Sequence, residues 1–249
     1  MTDDPRIFVG TLHSGEGDFA KCCAAINTQT NVIVTHHIVS GLNEKDAHNT
    51  LWAKWREEQS SHDLFVKIDA DTVLSQPWIL SEIFQTIRAK DATGLQAPLH
   101  DYMTDKLIIG LNAFTPRVVF LGTTDKLYCD RNVELGNTNV IRGADLPPTL
   151  KFVGFHCHHA SNLQGFRYGV HRAMKTQDAE IQHLIWAWRK HGDRVRGLGV
   201  IGSLLAPRLS RLGHVDYTDQ GLISAYEDAE KRYDEYVSAI NSKRFNVFD

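Results

Sequence analysis

Long hydrophobic runs are missing from this 249-residue sequence. None approaches the roughly 20 apolar residues that a bilayer-spanning helix needs, so no transmembrane segment is expected. An excess of positive charge is missing too. Lys and Arg number 27 against 30 Asp and Glu, a net charge of −3. With no basic stripe or tail either, a nucleic-acid partner is not expected. Cysteine is scarce: Cys22, Cys23, Cys129 and Cys157 form no C-x-x-C pair and read as reduced thiols of a cytoplasmic protein. The opening Met1-Thr2-Asp3-Asp4-Pro5 is acidic and runs straight into a strand, so no secretory or transit segment is expected. Internal repeats and low-complexity tracts are absent. A peripheral contact at the inner face of a membrane and a homodimer both stay compatible with these absences.

What is present is an ordinary soluble composition, 42% apolar and 23% charged, which suffices for one large domain with a helical appendage. Residues 7–11 read as a first buried strand, followed by a polar loop from His13 to Asp18. Phe19, Cys22, Cys23 and Ile26 then recur at helical spacing, with Asp18 as the expected cap. Residues 31–40 alternate as a second strand, 43–59 carry a helical stripe of Ala47, Leu51 and Trp55, and 64–68 form a third strand. Ser75-Gln76-Pro77 places a proline at the expected first helical position, ahead of Leu80, Ile83, Phe84 and Ile87 on one face. This β-loop-α-β-α-β-α order predicts an α/β fold, a mostly parallel central sheet with helices on both faces.

The remainder reads more sparsely. Residues 94–99 and 151–158 are expected strands, 107–111 and 117–121 are apolar runs split by Pro116, and 136–148 reads as a loop. The last third is helical, with one face on Ile181, Leu184, Ile185 and Trp188 and another on Leu222, Tyr226, Ala229, Tyr233, Tyr236 and Ile240. The tyrosines there are expected to pack helices together, with a dimer face as the rival. The expected organisation is a catalytic domain over 1–175, with halves of about 6–90 and 91–175. A helical extension over 176–249 would pack on it.

Three groups of residues carry chemistry. Asp69 and Asp71 end the third strand, one residue apart, at the sheet edge where α/β proteins bind ligands. Alternating residues point to one side, and carboxylates that close repel unless a cation or proton lies between them. A hard divalent cation and, through it, a phosphate would satisfy them. Lys67 offers local balance or simply faces solvent. The second group is His156-Cys157-His158-His159. On a continuous strand His156 and His158 share a face and Cys157 points away, which disfavours a closed four-ligand zinc site. The third is Arg167, Arg172 and Lys175, where a guanidinium fork matches phosphate oxygens. By contrast, Gly197-Leu198-Gly199-Val200-Ile201-Gly202 spells G-x-G-x-x-G but follows a charged turn rather than a strand. A flexible apolar connection between helices is expected there.

In order, residues 7–11, Gln29-Thr30, residues 32–41 and Phe65-Val66-Lys67-Ile68-Asp69-Ala70-Asp71 resemble a GT-A fold glycosyltransferase, nearest to the family 2 type. The resemblance covers about residues 6–90 and weakens towards 175. Val39-Ser40-Gly41 stands where an Asp-Asp-Gly-Ser run is usual. The resemblance implies that Asp71 binds Mn²⁺ or Mg²⁺ and that Asp69 approaches the ribose or a metal-bound water. A late histidine would complete the metal site: His156 first, with His158, His159 and His171 as rivals. Thr11, His13, Glu16 and Asp18 would line the nucleobase loop, Thr11 foremost. An acceptor base would come from Asp130 or Glu134, with Asp125, Asp101 and Asp105 behind them. The implied activity is transfer of a sugar from a UDP- or GDP-sugar to a glycan or lipid-linked acceptor. The rival functions are a metallohydrolase using the histidine cluster and a non-catalytic nucleotide-sugar-binding protein. A nucleotidyltransferase would need a basic, glycine-rich first loop, and this one is acidic.

Overall fold

Alternation along the first and third strands builds both faces of the sheet. In this computed structural model, which describes residues 4–118, 139–175, 177–211 and 219–242, β1 is Arg6–His13, β2 is Ile33–Ser40 and β3 is Leu64–Lys67. Ile7 and Val9 of β1 and Leu64 and Val66 of β3 belong to one core cluster. Phe8 and Phe65, one residue out of phase, belong to the other, as the two-residue period of a strand requires. Helices α1 (Phe19–Asn27), α2 (Glu44–Glu58) and α3 (Ile79–Ala89) cover the two faces. Cys22 and Ile26 of α1 and Ile79, Leu80, Ile83 and Ile87 of α3 fill the first. Leu51, Trp52 and Trp55 of α2 fill the second. There the Phe65 ring lies 5.0 Å from Trp52 and 5.3 Å from Trp55. Burying side chains of this size contributes roughly 1.5–3 kcal/mol each.

β1 lies between β2 and β3 and runs parallel to both. The chain therefore leaves β1 to one side, through α1 to β2, and returns through α2 to the other side. Open α/β sheets receive their ligands at such a reversal, outside the carboxyl ends of the strands. Strands β4 (Thr72–Leu74), β5 (Gly94–Asp101), β6 (Lys106–Phe114), β7 (Val140–Ile141) and β8 (Gly154–His156) complete the sheet. Its order is β2-β1-β3-β6-β5-β8-β4, with β7 beside β5. β5 is parallel to β7 and β8, whereas β3–β6, β5–β6 and β4–β8 are antiparallel. The architecture is α/β, and parallel pairs are in the majority among the described residues.

Local details depart from the simplest expectations. The strand expected over 151–158 is only Gly154–His156. Lys151 closes a 3₁₀ turn, and Cys157 takes a left-handed φ of 55° that breaks the ladder. Pro77 stands outside α3, whose first residue is Ile79. Gln29 serves that helix from a distance: its Oε1 accepts from Leu80 N at 3.0 Å and its Nε2 donates to the Gln76 carbonyl at 2.9 Å. Asp18 precedes α1 but gives it no side-chain cap, because its carboxylate is engaged elsewhere.

The chain divides into two compact units. The first, Met1–Tyr102 with Lys106–His159, carries the sheet. The second joins Met103–Asp105 to Ala160–Asp249 and holds α4 (Asn162–Met174), α5 (Asp178–His191), α6 (Arg194–Arg211), α7 (Gln220–Lys231) and α8 (Tyr233–Ser242). The G-x-G-x-x-G run lies inside α6 and is no flexible connection. It is a packing seam. A Cβ on Gly169 of α4 would collide with the Gly199 carbonyl, and one on Gly202 with the Phe166 carbonyl. Backbone meets backbone here, so no side chain can move aside. The tyrosine stripe packs in part, with Tyr226 5.9 Å from Phe166. Among the described residues no helix is long and apolar enough to cross a membrane.

Two predictions follow from the second unit. Gly169→Val should destabilise it by about 1–3 kcal/mol or more, read as a lower midpoint in thermal unfolding followed by circular dichroism. Asp105, at φ 55°, accepts from Lys190 Nζ at 2.6 Å and His191 Nε2 at 3.0 Å. The Lys190 hydrogen bond, then that of His191, holds its carboxyl well below the usual range. A depressed folded pKa means stability that is present above the unfolded value, about 3.9, and lost as pH falls below it. Asp105→Asn keeps a residue tolerant of left-handed backbone. It should cost up to about 1 kcal/mol at pH 7, a difference that shrinks in urea unfolding as pH drops below about 3.9.

Candidate metal centre

Strand register assembles the site. β8 pairs His156 with Asp101 of β5 on one side and with Thr72 of β4 on the other. Residues directly opposite across a ladder send their side chains to the same face. His156 Nδ1 accordingly meets Asp101 Oδ1 at 2.7 Å, and Asp101 is fully buried. In the tautomer with its proton on Nδ1 this bond orients Nε2 as a lone-pair donor, the arrangement by which buried carboxylates orient metal-binding histidines. Nε2 lies 3.4 Å from Asp71 Oδ2.

Cys157 enters where strand alternation had excluded it. The ladder ends at His156, and the backbone N–H of Cys157 donates to the Asp71 carbonyl at 2.9 Å. The left-handed turn at Cys157 then swings Sγ back towards the ligands. Sγ stands 3.0 Å from Asp71 Oδ2 and 3.8 Å from His156 Nε2. One ligand atom each from Asp71, His156 and Cys157 lies within 4.8 Å of the other two. Asp71 Oδ1 is buried and accepts no hydrogen bond. A buried polar atom left so costs about 1–3 kcal/mol, and a cation beside it would remove that cost. An imidazole nitrogen, a carboxylate and a thiol on one small volume fit a divalent metal ion.

The neighbours of this group are acidic. Asp69 follows β3, and its Oδ1 accepts from Lys67 Nζ at 2.6 Å. Lys67 is buried and does not face solvent, so removing Asp69 would leave a buried charge without that partner. Asp69 is not among the three grouped ligands. Glu16, on the loop after β1, accepts from Ser14 N at 2.7 Å and Ser14 Oγ at 2.5 Å. Burial raises its pKa, the Ser14 side chain opposes that, and the Asp71 charge adds to it. Burial, followed by Cys23 and the nearby acids, pushes the Cys22 thiol strongly upward. Cys22 Sγ donates to the Asp69 carbonyl at 3.6 Å.

The three histidines do not converge. Only His156 joins the group. His159 donates from its backbone to Asp18 Oδ2 at 2.7 Å and sets its Nδ1 2.8 Å from Asp18 Oδ1, which is where the α1 cap went. His158 is exposed, 5.1 Å from the Phe155 ring and 4.5 Å from His159. Thr11 is buried with Oγ1 2.9 Å from His36 Nε2, and the His13 ring lies 3.8 Å from Phe19. Arg167, Arg172, His171 and Lys175 belong to α4 and its end, in the second unit. There Arg172 covers the Tyr168 ring at 4.7 Å and donates to Gln177 at 2.7 Å. Asp105 is held by Lys190 and His191. Asp125, Asp130 and Glu134 lie outside the described residues. The role of Asp101 was readable in principle as a strand-end acid on the same sheet edge. That of Cys157 was not, because its left-handed backbone has no signature in the sequence.

The charge of Asp71 is felt at Glu16, and this can be measured. Asp71→Asn should lower the Glu16 pKa, read by carboxyl-carbon NMR titration of the full chain. An unchanged Glu16 titration would show that the two groups are electrostatically independent.

No protein-family model matches the sequence, and no curated protein matches it. Among solved structures, the chain is similar to the mannosyltransferase PcManGT from Pyrobaculum calidifontis, determined in complex with GDP-Man and Mn²⁺. The alignment covers 92% of this chain and 87% of that one, with a TM-score of 0.41 and 13% sequence identity.

Proposed function

We propose that the chain is a metal-dependent glycosyltransferase that moves a sugar from a UDP- or GDP-sugar to a glycan or lipid-linked acceptor. The observation that carries this is Asp71, just past the carboxyl end of β3: its Oδ1 is buried with no hydrogen bond, and its Oδ2 faces His156 Nε2 and Cys157 Sγ. That strand end is where a sheet of this topology receives a nucleotide. A divalent ion, Mn²⁺ or Mg²⁺, supplies neutralisation of the charge that builds on the departing nucleoside diphosphate. The chain's own residues prepare that place. Asp71 and His156 hold the ion, and Asp101 fixes the imidazole so that Nε2 faces inward. Lys67 keeps Asp69 oriented, and Asp69 is proposed to approach the ribose or a metal-bound water.

His13 is the proposed contact to the nucleotide at the end of β1, whereas Thr11, buried against His36, supports that strand end from within. Arg167, Arg172 and Lys175 are proposed for the donor phosphates. Asp130 and Glu134 are proposed to remove the acceptor proton as general bases. The reduced thiols fit a cytoplasmic setting. A metallohydrolase would draw several histidines into one cluster, whereas His158 and His159 make other contacts.

Isothermal titration of the full chain with UDP- and GDP-sugars, with and without Mn²⁺, tests the proposal. Binding should require the metal. Asp71→Ala should abolish the metal dependence, and Asp101→Asn should weaken metal binding about 10–100-fold without unfolding the chain. Absence of metal-dependent binding for both donor classes would sink the proposal.

A further inference from the structure

We propose that Cys157 is a thiolate ligand of the metal, and that the site therefore favours a thiophilic cation such as Zn²⁺ or Co²⁺ over the hard Mg²⁺. This rests on the metal centre proposed above and changes which ion fills it. Carboxylate and water suit Mg²⁺ and Mn²⁺, imidazole suits zinc and cobalt, and a thiolate selects softer ions again. Here one of each protein donor is present. Sγ lies 3.0 Å from Asp71 Oδ2 and 3.8 Å from His156 Nε2. All three ligand atoms fall within 4.8 Å of one another.

Two independent features support this: one aims Cys157 at the volume, and the other marks the volume as one that a cation would satisfy. The first is the backbone. The left-handed φ of 55° at Cys157 is a conformation that L side chains rarely adopt. Without it Sγ would continue the strand alternation and point away from His156. The second is the buried Asp71 Oδ1, which accepts no hydrogen bond beside a thiol that does donate to its twin oxygen. Three protein ligands with a further position left for water or substrate is also the arrangement of catalytic zinc sites. Asp101 behind His156 supplies the outer carboxylate that such sites use.

The test uses the full-length protein stripped of metal and titrated with Co²⁺ alone. A thiolate bound to Co²⁺ gives an intense near-ultraviolet charge-transfer band. The band should appear in the wild type, persist in Cys22→Ser, Cys23→Ser and Cys129→Ser, and vanish in Cys157→Ser. Competition titration should show that Cys157→Ser weakens Zn²⁺ binding at least about tenfold while Mg²⁺ binding is unchanged. Cys157→Asp should restore divalent binding without the band. Should Cys157→Ser fail to fold, the combined Cys22→Ser, Cys23→Ser and Cys129→Ser variant decides: the band must persist in it, and its loss there overturns the inference. Cobalt bound without the band, or a band surviving in Cys157→Ser, overturns the inference. Mn²⁺-dependent donor binding with no cobalt band overturns this inference and leaves the glycosyltransferase proposal standing. A cobalt band without any donor binding overturns that proposal and leaves the thiolate ligand in place.

Discussion

Everything at the candidate site depends on one pairing, that of His156 with Asp101 across the β5–β8 ladder. The pairing puts a buried carboxylate 2.7 Å behind the imidazole and so decides which nitrogen faces inward. The other edge of β8 is paired with β4, which brings Asp71 to the same end of the sheet. Backbone hydrogen bonds thus do the positioning, and side chains need only be of the right chemical type. A rigid ladder of this kind holds ligand atoms more closely than a loop would.

Charge imposes the second constraint. Asp69, Asp71, Asp101 and Glu16 all belong to this corner of the first unit, and each carboxyl group is met differently. Asp69 has Lys67. Asp101 has His156. Glu16 has Ser14 and a raised pKa. Asp71 has a thiol on one oxygen and no hydrogen bond on the other. Three of the four acids are provided for within the fold. The fourth, a half-buried carboxylate, has one buried oxygen with no hydrogen bond, and that is the feature a cation would correct.

The second unit obeys a different logic. Its helices α4 and α6 approach through glycines, so closely that backbone atoms fill the space where side chains would lie. The glycine spacing that imitates a dinucleotide fingerprint is there for helix packing. The same residue type meets the same physical need in both cases, close approach to backbone, and only the neighbouring elements tell the two apart.

The sequence by itself determined the opening βαβαβα frame, because alternation in β1 and β3 and the helical stripes of α1, α2 and α3 are local, periodic signals. It also placed Asp69 and Asp71 beyond the third strand, since a short apolar run ending in acids needs no distant information. The tertiary structure alone decided which residues meet them. His156, Cys157 and Asp101 lie far along the chain, and their meeting depends on strand order and register, which periodicity does not encode. It alone separated His156 from His158 and His159, by giving each a different partner. It alone turned Cys157 inward, because a left-handed residue at a strand end is stabilised by its surroundings and not by its own side chain.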